Sequence, residues 1–450
     1  MSRYFFRREK ILVWVWTVFA ALSMTALSVF AEGWPETEPG IASDCGCLID
    51  GRTGVVLFDK NKDEARHPAS ITKVLTVLLA LENGNLEDSV SITEEAAAYA
   101  VYGSANQKTK TGEVFTLEQL IYGTLLGSAN DMATAIGVYI GGGSLDVFLD
   151  MMNGRAAELG CRDTHFANAC GMPNEEHHTT AHDMALIMQE AMKREDYRKI
   201  INTHVYVIPP TNMTASERQI TSHDPLLVSP DYFYPGIIGG KTGNTDAAGH
   251  TLVNAVERNG MQLICVTLHA TSAPSAAYDH IDLLNYGYAN FTNVEAVDRS
   301  LALSGNILTV PCGVAAKDCS VARAVEEVDG ERRAVWTYSY GGRTVGRVVL
   351  TEENASALIR EENSSVEESE ESLSETAIRD ASNSKEHAAG GIPENAARII
   401  IRVFAAMILI GCLLIGITVI AREIRKSLRR KRKMKMRKQR PGDRKKRGRG

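Results

Sequence analysis

A single lysine on an otherwise apolar helix sets the strongest limit on how this chain can fold. After His67-Pro68-Ala69-Ser70 the sequence reads Ile71-Thr72-Lys73 and continues to Glu82. Val74, Leu75, Val77, Leu78, Leu79 and Leu81 are spread around nearly the whole circumference of such a helix. A helix apolar on almost every side belongs at the centre of a globular body. Lys73 then carries a charge into that centre one turn from the helix start, and a buried charge needs partners. With 44 % hydrophobic and 23 % charged residues, the chain of 450 residues has the means to build an ordinary core. Disorder throughout, a collagen-like fibre and a multi-span transporter are thereby excluded. The length points to two or three domains.

The segments around that helix predict a mixed body. Cys47–Asp50 and Val55–Phe58 read as strands joined by the turn Gly51-Arg52-Thr53-Gly54. Thr116 with Gln119 predicts a capping box for a helix carrying Leu117, Leu120, Ile121 and Leu125, halting at Gly127. Asp131 to Ile140 begins another helix, and Thr180 with Asp183 caps a further one through Met192. Thr251–Glu257 and Met261–Leu268 flank Asn259-Gly260, a strong hairpin signal. Strand, helices, then strands predict an α+β fold, an antiparallel sheet packed with helices, over residues 41–290. From 293 to 350 helix signals fade. Runs such as Ile307–Val310, Ala334–Tyr338 and Val345–Leu350 alternate with glycine-rich turns, predicting a small all-β domain.

Charge is segregated along the chain. Residues 422–450 carry 17 Lys or Arg against Glu423 and Asp443, although the whole chain has a net charge of −6. An acidic body with a basic tail is not a nucleic-acid-binding pattern; it fits a chain divided between two sides of a membrane. Residues 1–31 combine Arg3, Arg7, Arg8 and Lys10 with an apolar run from Ile11 to Phe30. They read as a secretory signal, or an uncleaved anchor, since the run is long for a signal. The 23 residues Ile399–Ala421 would span about 34 Å as a helix, enough to cross a bilayer. Their only charge, Arg402, lies near the outer end and can snorkel. The tail behind them should stay in the cytoplasm, held by charge against anionic lipid. Residues 351–392, with 11 acids and 3 bases, form a solvated spacer. The expected location is the cell membrane, with a single C-terminal anchor and an extracytoplasmic body.

Eight cysteines are present. Cys412 lies in the anchor, and seven cannot pair completely within one body. Cys161/Cys170 and Cys312/Cys319 are close enough to close local loops, and spacing alone leaves this open. His178 and His182 stand at i and i+4, with His177 beside them. No recognisable third ligand accompanies them, so polar loop and helix-start roles are expected in place of a zinc site.

Three short motifs recur in order: Ser70-Ile-Thr-Lys73, Ser128-Ala-Asn130 and Lys241-Thr242-Gly243. A serine at a helix start is by default an N-cap. That role leaves Lys73 unexplained. Positions i and i+3 share a helix face, so Lys73 can reach the Ser70 hydroxyl. Desolvation lowers a lysine pKa and makes a neutral amine available as base. Backbone N–H groups at the helix start can meet a developing oxyanion. Ser128-Ala-Asn130 falls between two helices, where a polar loop can cross a cleft or simply cap the next helix. Lys241 with Thr242 suits a substrate carboxylate; the plain alternative is an exposed strand lysine before a turn.

Four longer stretches carry a resemblance: His67-Pro-Ala-Ser70-Ile-Thr-Lys73, Leu125-Leu-Gly-Ser128-Ala-Asn130-Asp131, Thr164-His-Phe-Ala-Asn168-Ala-Cys-Gly171-Met and Gly236-Ile-Ile-Gly-Gly-Lys241-Thr-Gly-Asn-Thr245. Together they resemble the low-molecular-mass penicillin-binding proteins, and within them the serine-type D-alanyl-D-alanine carboxypeptidases. The resemblance covers about 41–290, with a weaker likeness over 293–350. It implies a β-lactamase/transpeptidase-like fold and an acyl-enzyme on Ser70, with Lys73 taking its proton and Ser128 relaying one to the leaving D-alanine. Asn130 would hold the substrate amide and orient Lys73. Lys241, Thr242 and Gly243 would hold the terminal carboxylate, and the N–H groups of Ser70 and Asn244 would form the oxyanion hole. The implied partners are peptidoglycan stem peptides, β-lactams as inhibitors and the cytoplasmic membrane. No metal or organic cofactor is implied. Two features depart from the family: a spanning helix in place of an amphipathic one, and Asn244 where an aromatic residue or histidine is usual.

Three other readings use the same serine. A class A β-lactamase needs a glutamate-held water, and no Glu-x-x-x-Asn lies between Ser128 and Lys241. A penicillin or muropeptide receptor would need an output module, and the tail is short and almost purely basic. A DD-endopeptidase differs only in substrate length.

Overall fold

Alternation along the strands decides which layer each side chain joins. In the computed structural model, described here over residues 33–351 except 36, 102, 297–305 and 329, five strands form one antiparallel sheet. They are β1 (Cys45–Asp50), β2 (Val56–Lys60), β3 (Ile237–Thr245), β4 (Gly249–Arg258) and β5 (Met261–Ala270), in the order β2-β1-β5-β4-β3. Cys47, Ile49, Val253, Ala255, Ile264 and Val266 face a helical layer. Leu48, Leu252, Val256, Leu263 and Cys265, their neighbours in sequence, face the opposite way. The expected α+β architecture is thus present, with β3 on an edge.

The helical layer is built around α1 (Lys73–Asn83), whose residues Lys73 through Leu81 are all buried. Each buried Val or Leu there contributes about 1.5–3 kcal/mol. α2 (Leu117–Leu125) carries the expected reciprocal cap between Thr116 and Gln119. α3 (Asn130–Ile140) and α4 (Ala181–Met192) pack in the same layer, which Leu145–Glu158 and Glu195–Ile201 also join, and the Thr180 hydroxyl accepts the Asp183 N–H. Across the sheet lies α5 (Ala273–Asn290). The β4–β5 hairpin turns at Asn259 and Gly260, both at positive φ (50° and 80°), as a two-residue turn of this type requires.

The separate all-β region begins directly after α5. Phe291–Glu295 pairs with Ile307–Pro311, and Ser320–Val328, Glu331–Tyr340 and Arg343–Thr351 form a three-stranded sheet. Trp336, Tyr338, Leu308 and Val310 are part of its core. Thr53 and Thr309 share a hydroxyl hydrogen bond of 2.6 Å, and Asn293 donates to Asp50. Strand 320–328 carried no strand signal, because its Ala, Glu and Arg favour helix; pairing with 331–340 overrides that preference. All seven described cysteines are free thiols, so neither possible local disulfide forms. No single helix among the described residues is long and apolar enough to cross a membrane. The expected signal at 1–31, spanning helix at 399–421 and tail at 422–450 lie outside the described residues, as does the spacer beyond Thr351.

Candidate active site

Backbone geometry places Ser70 before any side chain is considered. Ala69 adopts φ +51°, costly for a residue with a Cβ. It opens a 3-10 turn, Ala69–Thr72, that runs into α1. Ser70 therefore lies inside the turn; Pro68 occupies the turn's N-cap and Thr72 that of α1. The default capping role for Ser70 is not realised. The turn is pinned from behind. The Thr72 hydroxyl donates to the Ala69 carbonyl (2.8 Å) and lies 2.8 Å from Nε2 of His177. His177 Nδ1 accepts the Ala167 N–H (3.0 Å), so its proton sits on Nε2. Burial, reinforced by His67, His165, His178 and Lys73, lowers the His177 pKa to about 3, so the ring is neutral. His177 is thus a loop residue, as expected, but a buried one that braces the turn. His178 and His182 turn instead towards Asp163 and Asp63.

Gly171, at φ +87°, backs against the same turn. A Cβ there would lie 1.8 Å from the Ala69 carbonyl oxygen. Only glycine lets segment 168–172 approach this closely. The Asn168 side chain shapes that segment by accepting the N–H groups of Gly171 and Met172 (2.7 and 3.0 Å).

Lys73 joins these pieces. Its Nζ lies 2.9 Å from Ser70 Oγ, 2.8 Å from Asn130 Oδ1 and 2.6 Å from the Cys170 carbonyl. Burial lowers its pKa to about 8, with the Cys170 thiol and Asp131 opposing. A neutral amine has two N–H bonds and one lone pair. The two carbonyl oxygens can only accept, so they take the N–H bonds, and the lone pair is left facing the Ser70 hydroxyl. The lone pair is aimed by the partners of the amine.

The opposite wall comes from distant segments. Ser128, at φ +57°, lies between α2 and α3. Lys241 on β3 is 1 % exposed, which excludes the exposed-strand alternative. Its Nζ donates to Ser128 Oγ (3.0 Å) and to the Thr242 carbonyl (2.8 Å). Burial lowers its pKa, repulsion from Lys73 adds to that, and Asp224 opposes. Strand β3 runs beside the Ser70 turn: a Cβ on Gly243 would come within 2.8 Å of the Ser70 nitrogen. The Thr251 hydroxyl ties β4 to the Pro68 carbonyl (2.9 Å).

The hydrogen bonds thus connect Ser70 with Lys73 and Asn130, and Ser128 with Lys241, while Gly243 abuts Ser70. Thr242 is half-buried, and Asn244 is exposed opposite His250. Sequence reasoning missed several supporting groups. The Cys170 carbonyl, the neutral His177 and the Asp224 carboxylate had no role assigned. Asp131, buried, accepts the N–H groups of Gln107 and Thr109 and holds that loop beside α3. Only the Asn168-to-Gly171 stretch carried a signal, through its place in the resemblance.

Comparison with known proteins covers the region that holds these segments. The D-alanyl-D-alanine carboxypeptidase family profile matches residues 33–272. A D-alanyl-D-alanine carboxypeptidase of a Streptomyces species is 34 % identical over 267 residues, covering 56 % of this chain and 89 % of the relative. DacF of Bacillus subtilis, of the same description, is 31 % identical over 276 residues, covering 59 % and 68 %. Among solved structures, a Streptomyces DD-transpeptidase superposes with a TM-score of 0.52 at 32 % identity, over 56 % of this chain and 99 % of that one. A D-alanyl-D-alanine carboxypeptidase of Mycobacterium tuberculosis gives 0.52 at 30 %, over 58 % and 95 %.

Proposed function

The chain belongs to the D-alanyl-D-alanine carboxypeptidase family of serine peptidases, and from that membership we propose the reaction and residue roles that follow. It is a penicillin-binding hydrolase that removes the terminal D-alanine from peptidoglycan stem peptides. Ser70 Oγ bonds to the carbonyl carbon between the two D-alanines while Lys73 takes the hydroxyl proton. The C–N bond breaks as Ser128 passes a proton to the leaving amine. Lys241, Thr242 and Gly243 receive the terminal carboxylate, and Asn130 holds the substrate amide. The N–H groups of Ser70 and Asn244 face the oxyanion. Water then cleaves the ester, restoring Ser70 and releasing the shortened peptide. β-Lactams mimic the D-Ala-D-Ala end and acylate the same serine.

The observation that carries these roles is the triple coordination of the Lys73 amine, which leaves its lone pair on Ser70. A second reading has a specific support: similar solved structures are named DD-transpeptidases. There an amine takes the acyl group in place of water. The test incubates the full chain in detergent with a pentapeptide ending in D-Ala-D-Ala, with and without an acceptor amine. Free D-alanine with tetrapeptide product supports hydrolysis, and a crosslinked product supports transfer. Penicillin uptake without peptide turnover would leave only a receptor, and cleavage confined to crosslinked dimers an endopeptidase.

The proposed setting is the outer face of the cytoplasmic membrane. The supports are the apolar run 399–421, the basic tail 422–450 and the charged, apolar segment 1–31. Protease added to intact spheroplasts should remove the catalytic body and spare the tail; the reverse pattern would reject the orientation.

A further inference from the structure

The proposed reaction builds negative charge on the substrate carbonyl oxygen, and the Ser70 N–H is one of the two groups that meet it. Such a donor is effective only if it already points at the place where the charge appears. Ser70 is the second residue of the turn Ala69–Thr72, so no carbonyl within the turn can take its N–H, and the turn alone does not aim it. That N–H belongs to the peptide unit that carries the Ala69 carbonyl. No peptide bond among the described residues is cis, and in a planar trans unit the C=O and the N–H point in opposite directions. Whatever holds the Ala69 carbonyl therefore aims the Ser70 N–H.

The carbonyl end is held by a chain of donors that runs one way. Ala167 gives its N–H to His177 Nδ1 (3.0 Å), which leaves the ring proton on Nε2. Nε2 lies 2.8 Å from the Thr72 hydroxyl oxygen and donates to it. A hydroxyl has a single proton, and Thr72 sends it to the Ala69 carbonyl (2.8 Å). Thr72 and His177 are both buried, so water does not compete for these bonds. Two glycines grip the same peptide unit from its two ends. A Cβ on Gly171 would lie 1.8 Å from the Ala69 oxygen, 2.3 Å from the carbonyl carbon and 2.9 Å from the Ser70 nitrogen, so segment 168–172 backs the carbonyl end. A Cβ on Gly243 would lie 2.8 Å from the Ser70 nitrogen, so β3 fronts the N–H end, one residue before Asn244. The preceding carbonyl, that of Pro68, is tied to Thr251 on β4. With Ala69 at φ +51°, this stretch is not in a shape it would adopt alone. Its orientation is imposed by these contacts.

We propose that Thr72, its hydroxyl oriented by His177, is a positioning residue that keeps the oxyanion hole open. Released from Thr72, the Ala69–Ser70 unit can rotate about its two flanking bonds. That rotation turns the N–H out of the cleft and brings the carbonyl oxygen towards the developing negative charge. This role deepens the proposed function and rests on Ser70 as nucleophile and oxyanion donor. Thr72 takes no part in the proton transfer, since the Lys73 amine is held by Ser70, Asn130 and the Cys170 carbonyl.

The test compares the full chain in detergent as wild type, Thr72→Val and Thr72→Ser. Valine keeps the branched shape and removes the donor; serine restores the donor. A fluorescent penicillin reports initial binding and acylation separately. A peptide boronic acid ending in the boron analogue of D-alanine reports the hole itself. Ser70 Oγ bonds to boron, its proton passes to Lys73, and the tetrahedral adduct carries an oxygen where the oxyanion would be. Thr72→Val should slow acylation and weaken the boronate by the same factor, about tenfold to a hundredfold, with initial penicillin affinity kept within about twofold. Thr72→Ser should recover both to within about threefold of the wild type. The midpoint of the acylation–pH profile should stay in place, because the partners of Lys73 are untouched. Slowed acylation at unchanged boronate affinity, or a displaced midpoint, would refute the role and leave Thr72 a contributor to stability alone. Should Thr72→Val fail to fold, a crystal structure of the wild-type boronate adduct decides. The boronate oxygen should accept the Ser70 N–H while Thr72 still holds the Ala69 carbonyl; a rotated peptide, or an oxygen facing elsewhere, would count against the proposal. A wild type that neither probe modifies would overturn the enzymatic reading and this inference together.

Discussion

The cleft has two walls, each holding a serine against a lysine at nearly the same distance: 2.9 Å for Ser70 and Lys73, 3.0 Å for Ser128 and Lys241. Their construction differs. The first pair lies within one helical turn, and its lysine meets two carbonyl oxygens. The second spans 113 positions in sequence, and its lysine meets one carbonyl and a hydroxyl. Under the proposed roles, one pair is a nucleophile with its base and the other a proton relay beside an anion holder. Surrounding acceptors and charges decide between them, not the pair itself.

Breaking the first wall should have the largest effect. Ser70→Ala should abolish both penicillin acylation and D-alanine release, a loss of about 10⁴-fold or more. Retained acylation would place the nucleophile elsewhere, Ser128 being the obvious candidate. Exchanging each lysine for methionine sharpens the contrast. Lys73→Met should lower kcat by about 10³-fold, as expected for a lost general base. Lys241→Met should act chiefly through KM, lowering kcat/KM about 10²-fold. Identical kinetic signatures for the two variants would erase the distinction drawn between the walls.

Acidity offers a milder probe of the same contrast. With the Lys73 pKa near 8, the amine fraction falls tenfold per unit of acid below that value. The acylation rate should therefore climb between pH 6 and 8 with unit slope, then level. A flat profile over that range would mean the proton goes elsewhere.

The supports of the first wall come next. Gly171→Ala forces a Cβ against the Ala69 carbonyl and destabilises by about 2–4 kcal/mol. The check is the melting temperature alongside slowed acylation. The smallest effect is expected at His177. Its folded pKa, about 3, is below the ordinary 6.5. Between those values the unfolded chain binds a proton that the folded one refuses, so the contribution to stability, full above 6.5, is lost as pH falls. The slope is at most about 1.4 kcal/mol per pH unit. His177→Gln should flatten the decline of the melting temperature below pH 6.5. An unaltered slope would assign acid sensitivity to other groups.

Much of this was legible in the residue order because it is local. The apolar circumference of α1, the Thr116–Gln119 cap, the Asn259-Gly260 hairpin and the i, i+3 approach of Lys73 to Ser70 each depend on neighbours within a few positions. Pattern and sterics act at that range. The exposed strand 320–328 was not legible, since its helix-favouring residues are overruled by a partner strand.

What only the tertiary structure decided was the company each group keeps. Residue order could not say that the Cys170 carbonyl, 97 positions away, would take one of the Lys73 N–H bonds, or that His177 would be buried and neutral behind Ala69. Charge states in a dry cleft depend on distances through space and on excluded water, and both arise only when remote segments close on one another.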